Sequence, residues 1–177
     1  MHTSPIVLQQ PPTVMPLSAT SLPLHVAIIS DGNGRWASSC GWPRSDGHRA
    51  GAQTARRIIA AAPGLGIHTL TLFALSSANW QRPAAEVQGI LRLLHEYLLT
   101  ETSRCIEEGV RLSVIGRRDR VPSTLRQAIA DSEAATMQGT RLHLRLAVDY
   151  SAREIPQPRS RGAYKRMRVR CGNLPPR

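Results

Sequence analysis

Short apolar runs alternate with segments of helical periodicity along this chain, and this alternation limits its fold more than any other feature. Four runs rich in aliphatic residues predict strands, over residues 24–29, 69–75, 110–115 and 142–148. Apolar and small residues recur at helical spacing between them, which predicts helices over 47–62, 83–109 and 122–137. Alternating strands and helices favour an α/β fold with a mainly parallel sheet, flanked by helices on both faces.

Two of these elements carry finer expectations. The run Leu24–Ile29 is mostly apolar and β-branched, so we expect a buried strand that feeds a functional loop. In the helix over 83–109, Pro83 suits the first turn. An apolar stripe on the same helix predicts its buried face, consisting of Val87, Ile90, Leu91, Leu94, Leu98 and Ile106.

Composition divides the chain into three parts. Residues 1–23 are rich in Pro, Ser, Thr and Gln without periodicity, which is typical of a flexible leader. Residues 24–155 hold the alternating pattern and predict one domain. Residues 156–177 contain seven Lys or Arg residues and no acid, and so carry seven of the eleven net positive charges of the chain. We expect this last part to be a basic, disordered tail.

The charge and cysteine content limit the partners and the compartment. Seven cations on a disordered tail are usually solvated, so nucleic-acid binding is an electrostatic alternative without a recognisable module. Three cysteines without metal-ligand spacing suit a reducing, cytoplasmic compartment. No apolar run approaches the roughly 20 residues that span a bilayer, so we expect membrane contact only from outside, through a lipid-like substrate.

The loop after the first predicted strand reads Asp31-Gly32-Asn33-Gly34-Arg35. Two glycines let backbone amides approach an anion, and Arg35 adds a cation. Asp31 is a carboxylate of the kind that binds Mg²⁺ beside phosphate oxygens. The alternative is a plain tight turn, because Asp-Gly and Asn-Gly are strong turn formers.

Two further polar clusters are candidates for the same site. Arg44 and His48 lie near the start of a predicted helix, where the alternative for His48 is a capping or surface role. The loop after the second predicted strand carries Ser76, Ser77, Ala78, Asn79, Trp80, Gln81 and Arg82. Loops at the carboxyl ends of parallel strands share one sheet edge, which is where ligands bind. The alternative is a capped helix entrance with Trp80 packed on the core.

Four stretches together resemble the undecaprenyl diphosphate synthase family, the cis-prenyltransferases. They are residues 25–37 (His-Val-Ala-Ile-Ile-Ser-Asp-Gly-Asn-Gly-Arg-Trp-Ala), 47–51 (Gly-His-Arg-Ala-Gly), 76–87 (Ser-Ser-Ala-Asn-Trp-Gln-Arg-Pro-Ala-Ala-Glu-Val) and 110–116 (Val-Arg-Leu-Ser-Val-Ile-Gly). The motifs follow the family order, and the likeness runs from about Leu24 to Glu154. Several motifs in order make the resemblance far more specific than one glycine-rich loop.

The resemblance implies condensation of isopentenyl diphosphate with an allylic diphosphate such as farnesyl diphosphate, which creates cis double bonds. Asp31 would be the central catalytic acid and would bind Mg²⁺, and Asn79 would accept a proton. Substrate binding would involve Gly32, Asn33, Gly34, Arg35, Trp36, Arg44, His48, Ser76, Ser77, Ala78, Trp80 and Arg82. The apolar face of the helix over 83–109 would line a tunnel for the product, or would be plain core. The family also implies a homodimer.

The sequence departs from the family pattern at several places. Ala78 stands where the family often has an acid, and Ser151-Ala152-Arg153 replaces a glycine-rich stretch. The C-terminal Arg-Thr-x-Gly motif and metal-binding Glu of the family have no match in residues 156–177. We therefore expect an incomplete cis-prenyltransferase-like domain whose isolated chain is slow or inactive. The alternative function is that of a truncated homologue that binds allylic diphosphate or a partner subunit without turnover.

Overall fold

The computed structural model describes residues 23–151, which form four strands and four helices. The strands are β1 (Leu24–Ile29), β2 (Ile67–Ser76), β3 (Val110–Ile115) and β4 (Leu142–Tyr150). The helices are α1 (Asn33–Ser39), α2 (Arg44–Ala61), α3 (Ala84–Glu107) and α4 (Ser123–Ala135). Two 3₁₀ turns, Pro63–Leu65 and Ser77–Gln81, follow α2 and precede α3. The predicted leader, apart from Pro23, and the predicted basic tail lie outside the described residues.

Prolines define where the three long helices begin. Pro43, Pro83 and Pro122 each stand immediately before a helix, at the N-cap position of α2, α3 and α4. Proline has no N–H group to leave unpaired there, and its φ angle is preset. Pro83 thus precedes α3 rather than lying in its first turn, and α2 begins at Arg44, before the predicted start. None of the helices within residues 23–151 is long and apolar enough to cross a membrane.

All four predicted strands are present and form one parallel sheet in the order β1-β2-β4-β3. The predicted α/β class, with a parallel sheet flanked by helices, is therefore confirmed. Because the strands run in the same direction, their carboxyl ends meet at one edge. The loops that follow Ile29, Ser76 and Ile115 leave from this edge, where Ser76 pairs with Tyr150. The fold thus brings the first and second polar loops to the same side of the molecule.

One face of the sheet forms the hydrophobic core. Leu70, Leu72, Leu112, Leu144 and Leu146 alternate along their strands and pack with apolar residues of α2, α3 and α4. The α3 stripe is confirmed at four positions, since Val87, Leu91, Leu94 and Leu98 are buried.

Two burial predictions are wrong. Strand β1 is not fully buried, because it is an edge strand that pairs only with β2 among the described residues, and Ile29 is 62% exposed. Ile106 is 53% exposed, whereas its neighbour Cys105 is buried. At the end of α3 the buried position is therefore Cys105 and not Ile106, a shift of one residue along the sequence. Such a shift is expected because a helix has 3.6 residues per turn, so the buried face does not follow a fixed whole-number spacing.

In the described part of the chain, the opposite face of the sheet is polar over its amino-terminal half, and apolar residues follow toward the carboxyl edge, namely Ile29, Phe73 and Ile115. The His25 imidazole lies 2.8 Å from the Thr71 hydroxyl, and Ser113 lies 2.7 Å from His143. The same face carries Arg145, and His25 is exposed while His143 is half-buried. The predicted helical cover on two faces is therefore found for only one face of residues 23–151.

Helix α4 protects the free edge of β3. The Leu112 N–H donates to the Thr136 hydroxyl at 3.0 Å, and the Val114 N–H donates to Glu133 at 2.7 Å. An edge strand presents backbone donors that would otherwise be available to another chain. Side chains from α4 and the residue after it satisfy two of these donors.

Candidate functional site

The described residues enclose a cleft of about 480 Å³ at the carboxyl edge of the sheet. Its mouth is polar and carries four cationic or titratable side chains beside the first loop, namely Arg35, Arg44, His48 and Arg82. Its interior is apolar and is lined by Ala52, Ala55, Ile59, Leu72, Ile90, Leu93, Leu94, Tyr97 and Leu146. A cleft of this shape fits an amphiphilic molecule with an anionic head and a hydrocarbon tail.

Helix α3 contributes to both the cleft and the core. Ile90 and Leu94 of the predicted stripe line the cleft, whereas Leu91 and Leu98 are packed in the core. The helix therefore lines the cleft as well as the core, and its role in lining a product tunnel stays a prediction. Tyr97 lies at the apolar end, with the Arg56 guanidinium 5.9 Å from its ring centre, and burial raises the pKa of its hydroxyl.

The first loop is a sharp turn that leads straight into a helix. Gly32 has a φ angle of 91°, in the left-handed region that favours glycine, and α1 begins at the next residue. The Trp36 N–H donates to the Gly32 carbonyl at 2.8 Å. The Arg35 guanidinium lies 3.2 Å from the Asp31 carboxylate, and both side chains are largely exposed. The loop is thus a turn, and it also presents Asp31 and Arg35 to the cleft.

Two glycines of α2 make room for the first loop. A Cβ atom at Gly47 would overlap the Asn33 carbonyl group, and one at Gly51 would overlap the Asn33 side-chain amide. Any residue larger than glycine at either position would displace Asn33. The stretch Gly47-His48-Arg49-Ala50-Gly51 therefore has a packing function as well as supplying His48.

Glu86 is the centre of the cationic cluster at the mouth. It accepts hydrogen bonds from Arg44 at 3.1 and 3.2 Å, from Arg82 at 3.1 Å and from His48 at 3.3 Å. Its side chain is only 13% exposed. One carboxylate at the start of α3 thus gathers two groups from α2 and one from the second loop around the cleft mouth.

The environment of Glu86 favours its ionised form. The hydrogen bond from Arg44 lowers the pKa of Glu86, and the contacts with His48 and Arg82 add to this effect. Partial burial acts in the opposite direction but does not prevail. Glu86 is therefore a carboxylate at neutral pH, and it partly offsets the positive charge of the mouth.

The second loop is held by reciprocal hydrogen bonds. Ser76 caps the 3₁₀ turn Ser77–Gln81, and the Asn79 side-chain oxygen accepts the Ser76 N–H at 3.1 Å. This bond fixes the Asn79 carboxamide, which lines the cleft. The Ser77 hydroxyl and the Trp80 indole N–H are buried, and neither has a hydrogen-bond partner among the described residues.

A buried ion pair lies next to the second loop. The Arg120 guanidinium donates to both Asp149 oxygens, at 2.9 and 2.5 Å, and its carbon lies 5.0 Å from the Trp80 ring centre. The Asp149 side chain has 0% exposure, and its φ angle of 49° is in the left-handed region. Aspartate tolerates this region better than most residues.

The cleft brings together nine of the fourteen predicted site residues: Asp31, Gly32, Asn33, Gly34, Arg35, Arg44, His48, Asn79 and Arg82. The five others do not line it in the described structure, namely Trp36, Ser76, Ser77, Ala78 and Trp80. Trp36 instead packs edge-to-face on Trp42, with ring centres 5.5 Å apart. Ala78 is exposed, and the remaining three support the second loop.

Two residues that contact the predicted site residues were not predicted: Glu86 and Arg120. Glu86 follows Arg82 by four residues at a helix start, a spacing typical of ion pairs that could have indicated the contact. The pairing of Arg120 with Asp149 joins residues 29 positions apart and has no local sequence signal.

The donors at the mouth fit a magnesium ion only together with a phosphate ligand. The described residues contain no cluster of three or more side chains that could hold a metal ion. Mg²⁺ is commonly bound by one or two carboxylates plus substrate phosphates and water. Asp31, exposed beside Arg35, provides one such carboxylate at the cleft mouth.

Comparisons with known sequences agree with this arrangement. A family model described as putative undecaprenyl diphosphate synthase matches residues 29–161. Isoprenyl transferase 1 of Bradyrhizobium diazoefficiens is 56% identical over 138 residues, which cover 78% of this chain and 56% of the relative. The (2E,6E)-farnesyl-diphosphate-specific ditrans,polycis-undecaprenyl-diphosphate synthase of Aliivibrio fischeri is 42% identical, covering 89% of this chain and 61% of the relative. The chain thus spans a little more than half the length of these relatives.

Solved structures lead to the same family. Lavandulyl diphosphate synthase from Lavandula x intermedia, in complex with dimethylallyl diphosphate, is 36% identical and superposes with a TM-score of 0.72, covering 75% of this chain and 57% of that chain. A probable undecaprenyl diphosphate synthase from Campylobacter jejuni is 29% identical with a TM-score of 0.61, over 73% of this chain and 56% of that chain. The family model, the relatives and the parallel sheet together show that this chain belongs to the undecaprenyl diphosphate synthase family of prenyltransferases.

Proposed function

We propose that this chain binds an allylic diphosphate in the cleft and takes part in cis-prenyl transfer. The observation that carries the proposal is the continuity of one cleft from a cationic mouth to an apolar interior. An allylic diphosphate such as farnesyl diphosphate has the same two halves. Its diphosphate would lie at the first loop, and its hydrocarbon chain would lie between α2 and α3.

The residues of the mouth would stabilise the departing diphosphate. Arg35, Arg44 and Arg82 supply positive charge, and His48 supplies a hydrogen bond. Asp31 would hold Mg²⁺, which when bound neutralises diphosphate charge and assists departure. The preassembly of Arg44 and Arg82 around Glu86 means that these two side chains need little rearrangement when negative charge develops.

The proposed reaction joins the allylic unit to isopentenyl diphosphate. The allylic carbon–oxygen bond breaks, and the diphosphate leaves with the bonding electrons. The isopentenyl double bond supplies the electrons of the new carbon–carbon bond, and the isopentenyl unit then loses one proton to form a cis double bond. Family resemblance assigns acceptance of this proton to Asn79, whose carboxamide lines the cleft. Isopentenyl diphosphate, Mg²⁺, a cytoplasmic location and a homodimer belong to this proposal on family membership alone.

The direct test is calorimetric titration of the purified 177-residue chain with farnesyl diphosphate, with and without Mg²⁺. Inorganic diphosphate and farnesol are the matched ligands, because each presents half of the amphiphile. We expect farnesyl diphosphate to bind more tightly than either half. Equal affinity for farnesyl diphosphate and inorganic diphosphate would show that the apolar interior takes no part. Incorporation of radiolabelled isopentenyl diphosphate then measures whether the chain turns over.

A further inference from the structure

The Arg120–Asp149 ion pair, with its contact to Trp80, joins the end of β4 to two loops at the carboxyl edge of the sheet. Arg120 lies in the segment between β3 and α4, and Asp149 is the second-last residue of β4. The Arg117 N–H also donates to the Asp149 carbonyl at 3.2 Å. The central carbon of the Arg120 guanidinium also lies over the ring of Trp80, on the second loop, 5.0 Å from the ring centre.

The two contacts of Arg120 use different parts of the guanidinium. Its Nε and Nη2 groups donate two hydrogen bonds to Asp149, at 2.9 and 2.5 Å, while its central carbon lies over the indole ring. A planar, permanently charged group can do both at once, which an ammonium group cannot. The Asp149 carboxylate has no exposure to solvent, so it needs this partner.

The position of Trp80 matters because the loop around it supplies the cleft. Asn79 and Arg82, on either side of Trp80 in sequence, both line the cleft, whereas Trp80 does not. The Ser77–Gln81 turn has only one side-chain cap, the reciprocal Ser76 and Asn79 bonds. The contact of the Trp80 indole with Arg120 therefore restrains this short turn at a second position.

We propose that Arg120 is a positioning residue, which acts through Trp80 to hold Asn79 and Arg82 at the cleft mouth. Asp149 fixes the guanidinium, and the guanidinium fixes the indole. The effect on ligand binding rests on the proposed function, whereas the coupling between Arg120 and Trp80 does not.

The test uses the full chain labelled with 5-fluorotryptophan, in which Trp36, Trp42 and Trp80 give separate ¹⁹F resonances. The Trp80→Phe variant identifies the Trp80 resonance, because that resonance is missing from its spectrum. The main variant is the double substitution R120Q/D149N, which removes both charges and leaves no unpaired buried carboxylate. R120K keeps the charge but loses the planar group. The matched control is R118Q/E133Q, an ion pair at 2.8 Å that starts two residues away and does not involve Trp80.

We expect R120Q/D149N and R120K to move the Trp80 resonance, to leave the Trp36 and Trp42 resonances in place, and to weaken farnesyl diphosphate binding about tenfold. The control should change neither quantity. An unmoved Trp80 resonance, wild-type affinity in both Arg120 variants, or an equal loss in R118Q/E133Q would each overturn the proposal. If the wild-type chain does not bind farnesyl diphosphate, the proposed function fails. The Trp80 resonance then decides the coupling by itself, because it requires no ligand.

Discussion

Glu86 accepts two hydrogen bonds from Arg44, at 3.1 and 3.2 Å, although 42 residues separate them in sequence. The pair joins the start of α2 to the first turn of α3 across the mouth of the cleft. His48 and Arg82 contact the same carboxylate. Arg44, His48 and Arg82 would contact the diphosphate of a bound ligand, and a carboxylate holds all three in place. The negative charge of that carboxylate would repel the diphosphate.

Replacement of Glu86 with glutamine should destabilise the fold. Glu86→Gln removes the mostly buried negative charge that Arg44 and Arg82 share, and should lower the free energy of unfolding by about 2 kcal/mol at pH 7. Urea denaturation measures the difference. Asp119→Asn, which removes the exposed partner of Arg117, is the control and should leave the transition close to that of the wild type.

The contribution of Glu86 should depend on pH. The pKa of Glu86 is lowered in the folded state from a usual value of 4.5. Its contribution is therefore complete above pH 4.5 and is lost as the pH falls through the lower, folded value. The unfolding curves of the wild type and of Glu86→Gln should converge in acid. A difference that stays constant from pH 7 down to pH 3 would contradict this explanation.

Gly47 should tolerate no side chain. Gly47→Ala places a methyl group against the Asn33 carbonyl, and should destabilise the fold by about 1–3 kcal/mol and weaken diphosphate binding. Gly89→Ala is the matched control, because Gly89 also lies inside a helix but faces open space. It should stabilise the chain by up to about 1 kcal/mol. Equal effects at the two glycines would rule out a special role for Gly47.

Asp31 should matter for binding and not for folding. Its side chain is 72% exposed and its ion pair with Arg35 is equally exposed, so Asp31→Asn should change the free energy of unfolding by less than about 0.5 kcal/mol. The same variant should lose the Mg²⁺-dependent part of farnesyl diphosphate affinity, measured by calorimetry. Retention of the full Mg²⁺ effect would place the metal elsewhere.

The apolar interior should be sensitive to added volume. Ala55→Phe fills part of the cleft, and should weaken farnesyl diphosphate binding about tenfold while leaving inorganic diphosphate unaffected. Gln53→Phe adds the same ring at an exposed position of α2 and should bind both ligands like the wild type. A loss of inorganic diphosphate binding in Ala55→Phe would indicate that the substitution disturbs the mouth instead.

The stability of the chain should fall when the pH drops below the ordinary histidine range. Burial, with the nearby Arg111 and Arg145, lowers the pKa of His143 below its usual value of 6.5. As the pH falls, His143 is therefore protonated in the unfolded chain at a higher pH than in the folded chain. The contribution of neutral His143 to the free energy of unfolding is complete above pH 6.5 and declines as the pH falls below it. His143→Gln should make this decline shallower in urea denaturation. An unchanged slope would remove His143 from the pH dependence.

The strands and long helices could be predicted because their signals are local. Aliphatic runs mark each strand, and Pro43, Pro83 and Pro122 mark helix starts. The burial of β1 could not be predicted in this way. An edge strand and a central strand have similar composition, and only the sheet order places β1 at the edge.

The site was predictable to the extent that its residues lie in consecutive motifs. Asp31 to Arg35 and Ser76 to Arg82 stand out as polar loops after strands, and the parallel sheet brings their ends together. Arg44 contacts Glu86 across 42 residues and Arg120 contacts Asp149 across 29, so no local pattern identifies these two contacts. The rings of Trp36 and Trp80 contact Trp42 and Arg120, and the substrate contacts that the resemblance implies for them stay predictions.

The close approach of Gly47 and Gly51 to Asn33 has a consequence for engineering. The letters Asp-Gly-Asn-Gly-Arg are short enough to copy into another strand–helix junction, yet their shape here depends on a second helix that comes within atomic contact of Asn33. A graft that carries only the loop would lack Gly47 and Gly51, against which Asn33 of the loop packs. The smallest transferable unit therefore extends from β1 through residue 51, and a search for the same device in unrelated folds should require both glycines at their four-residue spacing.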